Sequence, residues 1–507
     1  MNYYSKKQTK ETDSILLNYV ISSIEQTKRE RERERDGGAS EGTMHLPPSG
    51  VLTRSPDPHG RIHQAPLAMQ LRILHVHHLP LMHPPNHAAT SAISTSYLQS
   101  TQALGLPIRF HQLPSVDPPV VFDGPEEFHS LYTQLHLPHI KAAISASSSR
   151  VSALVLDLFS TAAIDVAKEL NIPSYIYFSS TLTFLTMMLH LPKLPPHTEL
   201  DFWETKQNLC IPGIAPVPAL SMPKPLMSSK LSSFRWFVHH ARRYTETEGI
   251  IVNSNSDIEP KALAALADSK PEIFPVGPII SFGESASTEH GCLTWLDKQP
   301  AKSVVFLCFG SRGAFEPPLV DEMAAALERS GCRFLWVLRA PGQGIKFPTD
   351  ANLEELLPEG YLERTKERGL VWPSRVPQTE ILANPAVGGF MTHCGWNSIL
   401  ESLWFGVPMI PWPLYAEQRL NAFEMVSEMG VAVDMKVDRK KDNFVDGDDL
   451  EQAVRCLMEE GSEVGRRVRA NAERINALCR KAVERGGSSY LNLQHVAETR
   501  EYVKLKQ

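Results

Sequence analysis

The segment Arg375–Gln418 reads RVPQTEILANPAVGGFMTHCGWNSILESLWFGVPMIPWPLYAEQ, and its pattern decides the fold class. An apolar run ends at Phe390-Met391-Thr392. His393-Cys394-Gly395 then turns the chain, and a helix is expected from about Trp396. A second apolar run, 407–412, follows that helix. Strand, helix, strand at this spacing is the unit of a parallel α/β sheet. The same pattern recurs upstream: a buried-type strand over 303–309 ending in Gly310-Ser311, a helix over 319–330 and a strand over 333–339. Earlier still, 151–157 and 174–178 read as strands around a helical stretch at 160–170. The chain thus carries two α/β blocks, separated by a Gly/Ser/Glu-rich stretch at 278–290 that suits a linker. Two Rossmann-like domains facing a cleft is the expected architecture.

Composition agrees with two folded domains. The 507 residues are 42% hydrophobic and 21% charged, with a net charge of −6. These values exclude wholesale disorder, and they argue against a nucleic-acid binder, which needs a basic face. Seven cysteines without a C-x-x-C pair suit reduced thiols in the cytosol better than a disulfide framework or a zinc site. No run approaches the roughly 18 apolar residues of a membrane span. Residues 28–36 (KRERERERD) alternate in charge and precede a Gly/Ser-rich stretch. Residues 1–65 are therefore expected to be a disordered leader. The expected domains are 66–280 and 281–480, with 481–507 a helix packing back on the first.

The chemistry concentrates in the opening segment. A glycine turn into a helix start lets backbone approach a ligand, and the free N–H groups there attract phosphate oxygens. Asn397 and Ser398 add side-chain donors, and His393 stands where it can donate to, or partly charge-balance, a diphosphate. Glu401, one turn into the helix, suits a bidentate acceptor for paired hydroxyls, and Glu417-Gln418 suits a grip on sugar hydroxyls.

In order and spacing, these 44 residues resemble the signature of plant family 1 UDP-glycosyltransferases, and the likeness extends from about residue 82 to the C-terminus. It is greatest to the phenolic and flavonoid glucosyltransferase branch, the hydroquinone glucosyltransferases included. The resemblance implies a GT-B fold, with the acceptor held by the N-terminal half and the UDP-sugar by the C-terminal half. It further implies that Arg375, Val376 and Gln378 lie at the uracil and ribose, and Glu401 at the ribose hydroxyls. Ser311, His393, Gly395, Asn397 and Ser398 would hold the diphosphate, while Trp396, Glu417, Gln418 and Thr181 would contact the sugar. A Gln at the last signature position implies a glucose preference. The implied mechanism has a His, oriented by Asp157, take the proton of an acceptor hydroxyl as its oxygen attacks the anomeric carbon with inversion. The implied partners are UDP-glucose and a small phenolic acceptor, with no metal or other cofactor, in a cytoplasmic monomer.

Two departures stand out. The signature opens on Arg375 where the family has a Trp; a guanidinium plane can still stack on a base. Aligned on Gly60, Arg61 occupies the place of the catalytic His, and an arginine cannot act as a base. His59 and His63 flank it and are the candidates for the base. Twelve of the nineteen histidines fall between His45 and His139. The stretch 71–85 (LRILHVHHLPLMHPP) shows neither the helical stripe nor the β run expected there. His75, His77 and His78 lack the patterned Cys or carboxylate partner of a metal site. These departures leave a second reading open, that of a catalytically impaired nucleotide-sugar binder.

Overall fold

The computed structural model describes residues 73–77, 108–147, 151–194, 200–205, 207–280, 290–342 and 348–505. The expected leader, 1–65, lies outside the described residues, and so does most of the expected linker.

In the N-terminal half, β1 (Ile73–His77) pairs in parallel with β2 (Ile108–Gln112). A second sheet runs in the order β3-β4-β5-β6, from Leu154–Asp157, Ser174–Phe178, Gly249–Val252 and Glu272–Pro275, all parallel. The strand β1 corrects the reading of 71–85 as lacking a β run. Its residues pair one for one from Ile73↔Ile108 to His77↔Gln112. Strand formation follows backbone pairing and context more than side-chain propensity, so a His-rich run can still be a strand.

The C-terminal half holds five parallel strands: β7 (Val304–Cys308), β8 (Arg333–Val337), β9 (Gly369–Trp372), β10 (Val387–Thr392) and β11 (Met409–Pro411). Their order in space is β9-β8-β7-β10-β11. Every residue of β7 is buried, as befits a central parallel strand covered on both faces. Its period of two sorts side chains between two cores. Val304, Phe306 and Cys308 face Ile399 and Leu403 together with Ile475 and Cys479. Val305 and Leu307 face Val320, Met323 and Leu327 together with Leu450, Val454 and Leu457. Those side chains come from four helices: α1 (Pro317–Ser330), α2 (Trp396–Phe405), α3 (Gly447–Met458) and α4 (Glu463–Val483). Helix α1 opens on two prolines and stops at Gly331, whose φ of 68° supplies the left-handed residue that turns the chain into β8.

The chain then returns to the first half. Helix α5 (Ser488–Leu505) lays Leu493 and Val496 on Tyr175, Tyr177, Ile251 and Phe274 of the N-terminal sheet. Burying such side chains contributes roughly 1.5–3 kcal/mol each. Ser489 Oγ donates to Gly277 O at 2.5 Å, and Asn492 Nδ2 to Pro275 O at 2.7 Å. Among the described residues, no helix is long and apolar enough to cross a membrane.

Candidate UDP-sugar site

In an open parallel sheet, ligands bind beyond the carboxyl ends of the strands where the strand order reverses. Here the chain runs from β7 to β8 and β9 on one side, and to β10 and β11 on the other. The reversal therefore lies between the ends of β7 and β10. Gly310-Ser311 leaves β7 at that point, and His393-Cys394-Gly395 leaves β10 to enter α2.

The turn is tightly built. His393 is 8% exposed, with its ring wedged between two glycines. A Cβ at Gly395 would lie 2.5 Å from His393 Nε2, and one at Gly310 would lie 2.7 Å from the same atom. Gly310 also has φ +72°, which favours glycine on backbone grounds. Cys394 adopts φ 65° without being glycine, an uncommon conformation that needs support from its surroundings. Part of that support is Asn421 Nδ2, which donates to Cys394 O at 3.0 Å. Burial pushes the His393 imidazole down to about 4, so it is neutral at pH 7, and its Nδ1 has no hydrogen-bond partner among the described residues. A neutral ring can donate a hydrogen bond but carries no charge.

Next to this turn, Gln378 opens a short helix, Gln378–Ala383. Its Nε2 donates to Ser398 Oγ at 2.9 Å and to Glu401 Oε2 at 2.7 Å. The structure thus brings Gln378, Ser398 and Glu401 together on one side of the turn. Burial raises the Glu401 carboxyl to about 7, and the Gln378 hydrogen bond pulls the other way. Val376 packs partly buried against the same core as Trp396. Arg375 is exposed, and its charge adds to the burial that holds Arg339 below the ordinary arginine value. Trp372 lies three residues before Arg375, where the signature has its Trp. Its indole N–H goes to Ser374 Oγ at 3.0 Å, and its ring packs 4.9 Å from that of His290.

The sugar-contacting expectations fare differently. Glu417 precedes α6 (Gln418–Ser427), and its Oε1 accepts from Ser180 Oγ at 3.4 Å, bridging the two halves. Gln418 is buried, with its Oε1 taken by the N–H groups of Leu414 and Tyr415 at 2.9 Å each. Only its NH₂ remains to meet a hydroxyl. Thr181 is fully buried, and its Oγ1 caps the helix Leu182–His190 by accepting from Phe184 N at 2.9 Å. Ser180, one residue earlier, is the hydroxyl that reaches Glu417. The Trp396 side chain is also a core residue, with Nε1 donating to Asn253 O at 2.7 Å. What it retains for a ligand is its backbone N–H at the helix start.

Asp157 ends β3 and caps its own turn, accepting from Phe159 N at 2.8 Å and from Ser160 Oγ. His59, Arg61 and His63 lie outside the described residues.

Sequence reasoning missed the polar residues that join the halves. Asn253 follows β5, is fully buried and contacts both Trp396 and Asn397. Glu259 accepts from Leu182 N and Thr183 N at 3.0 Å each, opposite the buried Glu424 of α6. Burial raises both carboxyls, and the charge of Glu259 raises Glu424 further. The available signal was positional: an amide just past a fully apolar strand, and polar side chains one and two turns after Glu417.

Residues 278–464 match the family described as UDP-glucoronosyl and UDP-glucosyl transferase. The chain is 50% identical over 404 residues to malvidin galactosylase UGT88C3 of Oryza sativa subsp. japonica, spanning 77% of this chain and 84% of that protein. It is 44% identical over 434 residues to UDP-glycosyltransferase 71K1 of Malus domestica, spanning 80% and 88%. Among solved structures, Phytolacca americana UGT2 complexed with UDP-2fluoro-glucose and pterostilbene is similar at TM-score 0.72 and 34% identity, over 83% of this chain and 91% of that one. Medicago truncatula UGT71G1 complexed with UDP-glucose is similar at TM-score 0.71 and 34% identity, over 83% and 90%. With its paired parallel-sheet domains and the switch-point turn at His393, the chain belongs to the plant family 1 UDP-glycosyltransferases of GT-B fold.

Proposed function

We propose that this enzyme transfers glucose from UDP-glucose to a hydroxyl of a phenolic or flavonoid acceptor, with inversion. The observation that carries the reading is the turn between β10 and α2: a buried, neutral His393, its Nδ1 without a partner among the described residues, wedged between two glycines at a helix start. Such a turn offers donors to a diphosphate, while Glu401 and Gln378 offer acceptor and donor to a ribose. His59 or His63, oriented by Asp157, takes the acceptor proton as the acceptor oxygen bonds to the anomeric carbon and UDP departs. Charge on the departing UDP is met by the α2 start, Ser311 and His393, so on this reading no metal takes part. Seven free thiols support a reducing compartment, and the reading carries with it a monomeric cytosolic enzyme.

Glucose is favoured by Gln418 with its remaining NH₂. A second reading, UDP-galactose, is favoured by the relative named a malvidin galactosylase. Incubation with each UDP-sugar and a flavonoid panel, with and without EDTA, separates the two. A β-glucoside formed at the same rate with chelator is the expected product. No transfer from either donor would refute the assignment. The reading as an impaired nucleotide-sugar binder is not retained, because the relatives are named for transferase activities.

A further inference from the structure

We infer that Asn253, in the N-terminal domain, is a positioning residue for the donor site of the C-terminal domain, fixing which end of the Asn397 amide faces the ligand. The inference rests on the reading above that Asn397 meets the UDP diphosphate.

Asn253 is fully buried. Its backbone N–H is tied to Phe178 O at 3.1 Å. Its side-chain Oδ1 accepts from Ile279 N at 2.8 Å. A backbone N–H can only donate, so that contact decides the orientation of the Asn253 amide. The NH₂ end must then lie on the other side, where it finds two acceptors, Ile279 O and Asn397 Oδ1, each at 3.4 Å. An amide NH₂ has two hydrogens and no acceptor capacity. Asn397 therefore has to turn its oxygen toward Asn253, since the flipped amide would set NH₂ against NH₂. Its own NH₂ is left over, and it has no partner among the described residues. A phosphate oxygen requires just such a donor.

Two further contacts remove slack. The Asn253 carbonyl accepts the Trp396 indole N–H at 2.7 Å, which fixes the residue immediately before Asn397. On the opposite side, a Cβ at Gly277 would lie 2.7 Å from both Asn253 Oδ1 and Ser254 N, so Asn253 cannot retreat. The polarity passes from Ile279 N–H to Asn253, and from Asn253 to Asn397. The donor site is thus completed by a residue of the acceptor-binding half.

The test is calorimetric titration of UDP into the full chain and four variants: Asn397→Ala, Asn253→Asp, Asn253→Ser and the double variant Asn253→Asp with Asn397→Ala. Loss of one hydrogen bond to a charged group corresponds to about a tenfold weakening, which is expected for Asn397→Ala. Asp at 253 keeps the acceptor for Ile279 N–H but offers no hydrogen to Asn397. Asn397 then turns its NH₂ to the new carboxylate and presents oxygen to the diphosphate. Weakening of about tenfold or more is expected, falling to under about threefold when Asn253→Asp is added to Asn397→Ala. Asn253→Ser removes the amide without adding charge and carries the same comparison if the Asp variant does not fold. Wild-type UDP affinity in the Asn253 variants beside a weakened Asn397→Ala would overturn the inference alone, and so would losses that multiply in the double variant. Wild-type affinity in Asn397→Ala would instead overturn the diphosphate reading on which the inference stands.

Discussion

Replacing Glu401 by Gln should make the protein more stable and a poorer UDP binder, and the stability gain should depend on pH. Burial raises the Glu401 carboxyl from 4.5 to about 7. A carboxyl whose pKa is higher in the folded state binds its proton more tightly there. Its favourable contribution is therefore complete below the unfolded pKa and is lost as pH rises through the folded one. At about 1.4 kcal/mol per pKa unit, the span from 4.5 to about 7 amounts to roughly 3 kcal/mol of lost stability by pH 8. Glu401 keeps some exposed surface, so this is an upper figure. A glutamine cannot ionise and suffers no such loss, and its amide can still meet the Gln378 side chain. The expected gain is under about 1 kcal/mol at pH 5 and approaches about 3 kcal/mol at pH 8. In scanning calorimetry the second figure corresponds to a rise of about 6–12 °C for a domain of this size. On the proposed ribose role of Glu401, the same variant should bind UDP about tenfold or more weakly, because a charged acceptor is lost. An equal rise at both pH values, or a fall at pH 8, would sink the argument that desolvation of this carboxylate costs stability.

Three other outcomes follow from the same geometry. On the proposed role of His393 at the departing UDP, His393→Ala should lower kcat about 10²–10³-fold in a coupled UDP-release assay. Arg375→Trp restores a stacking ring at the start of the signature and should lower KM for UDP-glucose by about tenfold, since stacking on a base contributes about 1–3 kcal/mol. Leu493→Ala empties the contact of α5 with Tyr175 and Tyr177 and should cost about 2–5 kcal/mol in urea titration.

The strand–helix alternation was legible because a buried parallel strand has to be a short apolar run. The expected strand at 303–309 and helix at 319–330 fall on β7 and α1 within a few residues. The turn from Thr392 to Trp396 was legible for a similar reason, since its glycine is demanded by a ring two residues away, that of His393. The directions of individual side chains were not legible. Trp396 points its indole at Asn253, because the carbonyl that claims it comes from 143 residues away in the chain. The strand β1 stayed hidden in its histidines because its evidence is the partner strand over thirty residues away.

The return of α5 to the first sheet has a consequence for biosynthesis. Leu493 and Val496 cover Tyr175, Tyr177 and Ile251, yet they are translated only after the whole C-terminal domain. A nascent N-terminal sheet emerging from the ribosome therefore carries an uncovered apolar face until residues 493–496 have been made. Exposed faces of that kind invite association with other chains. Ribosomes that stall before residue 488 should yield products dependent on chaperones, even though every described strand has already been made.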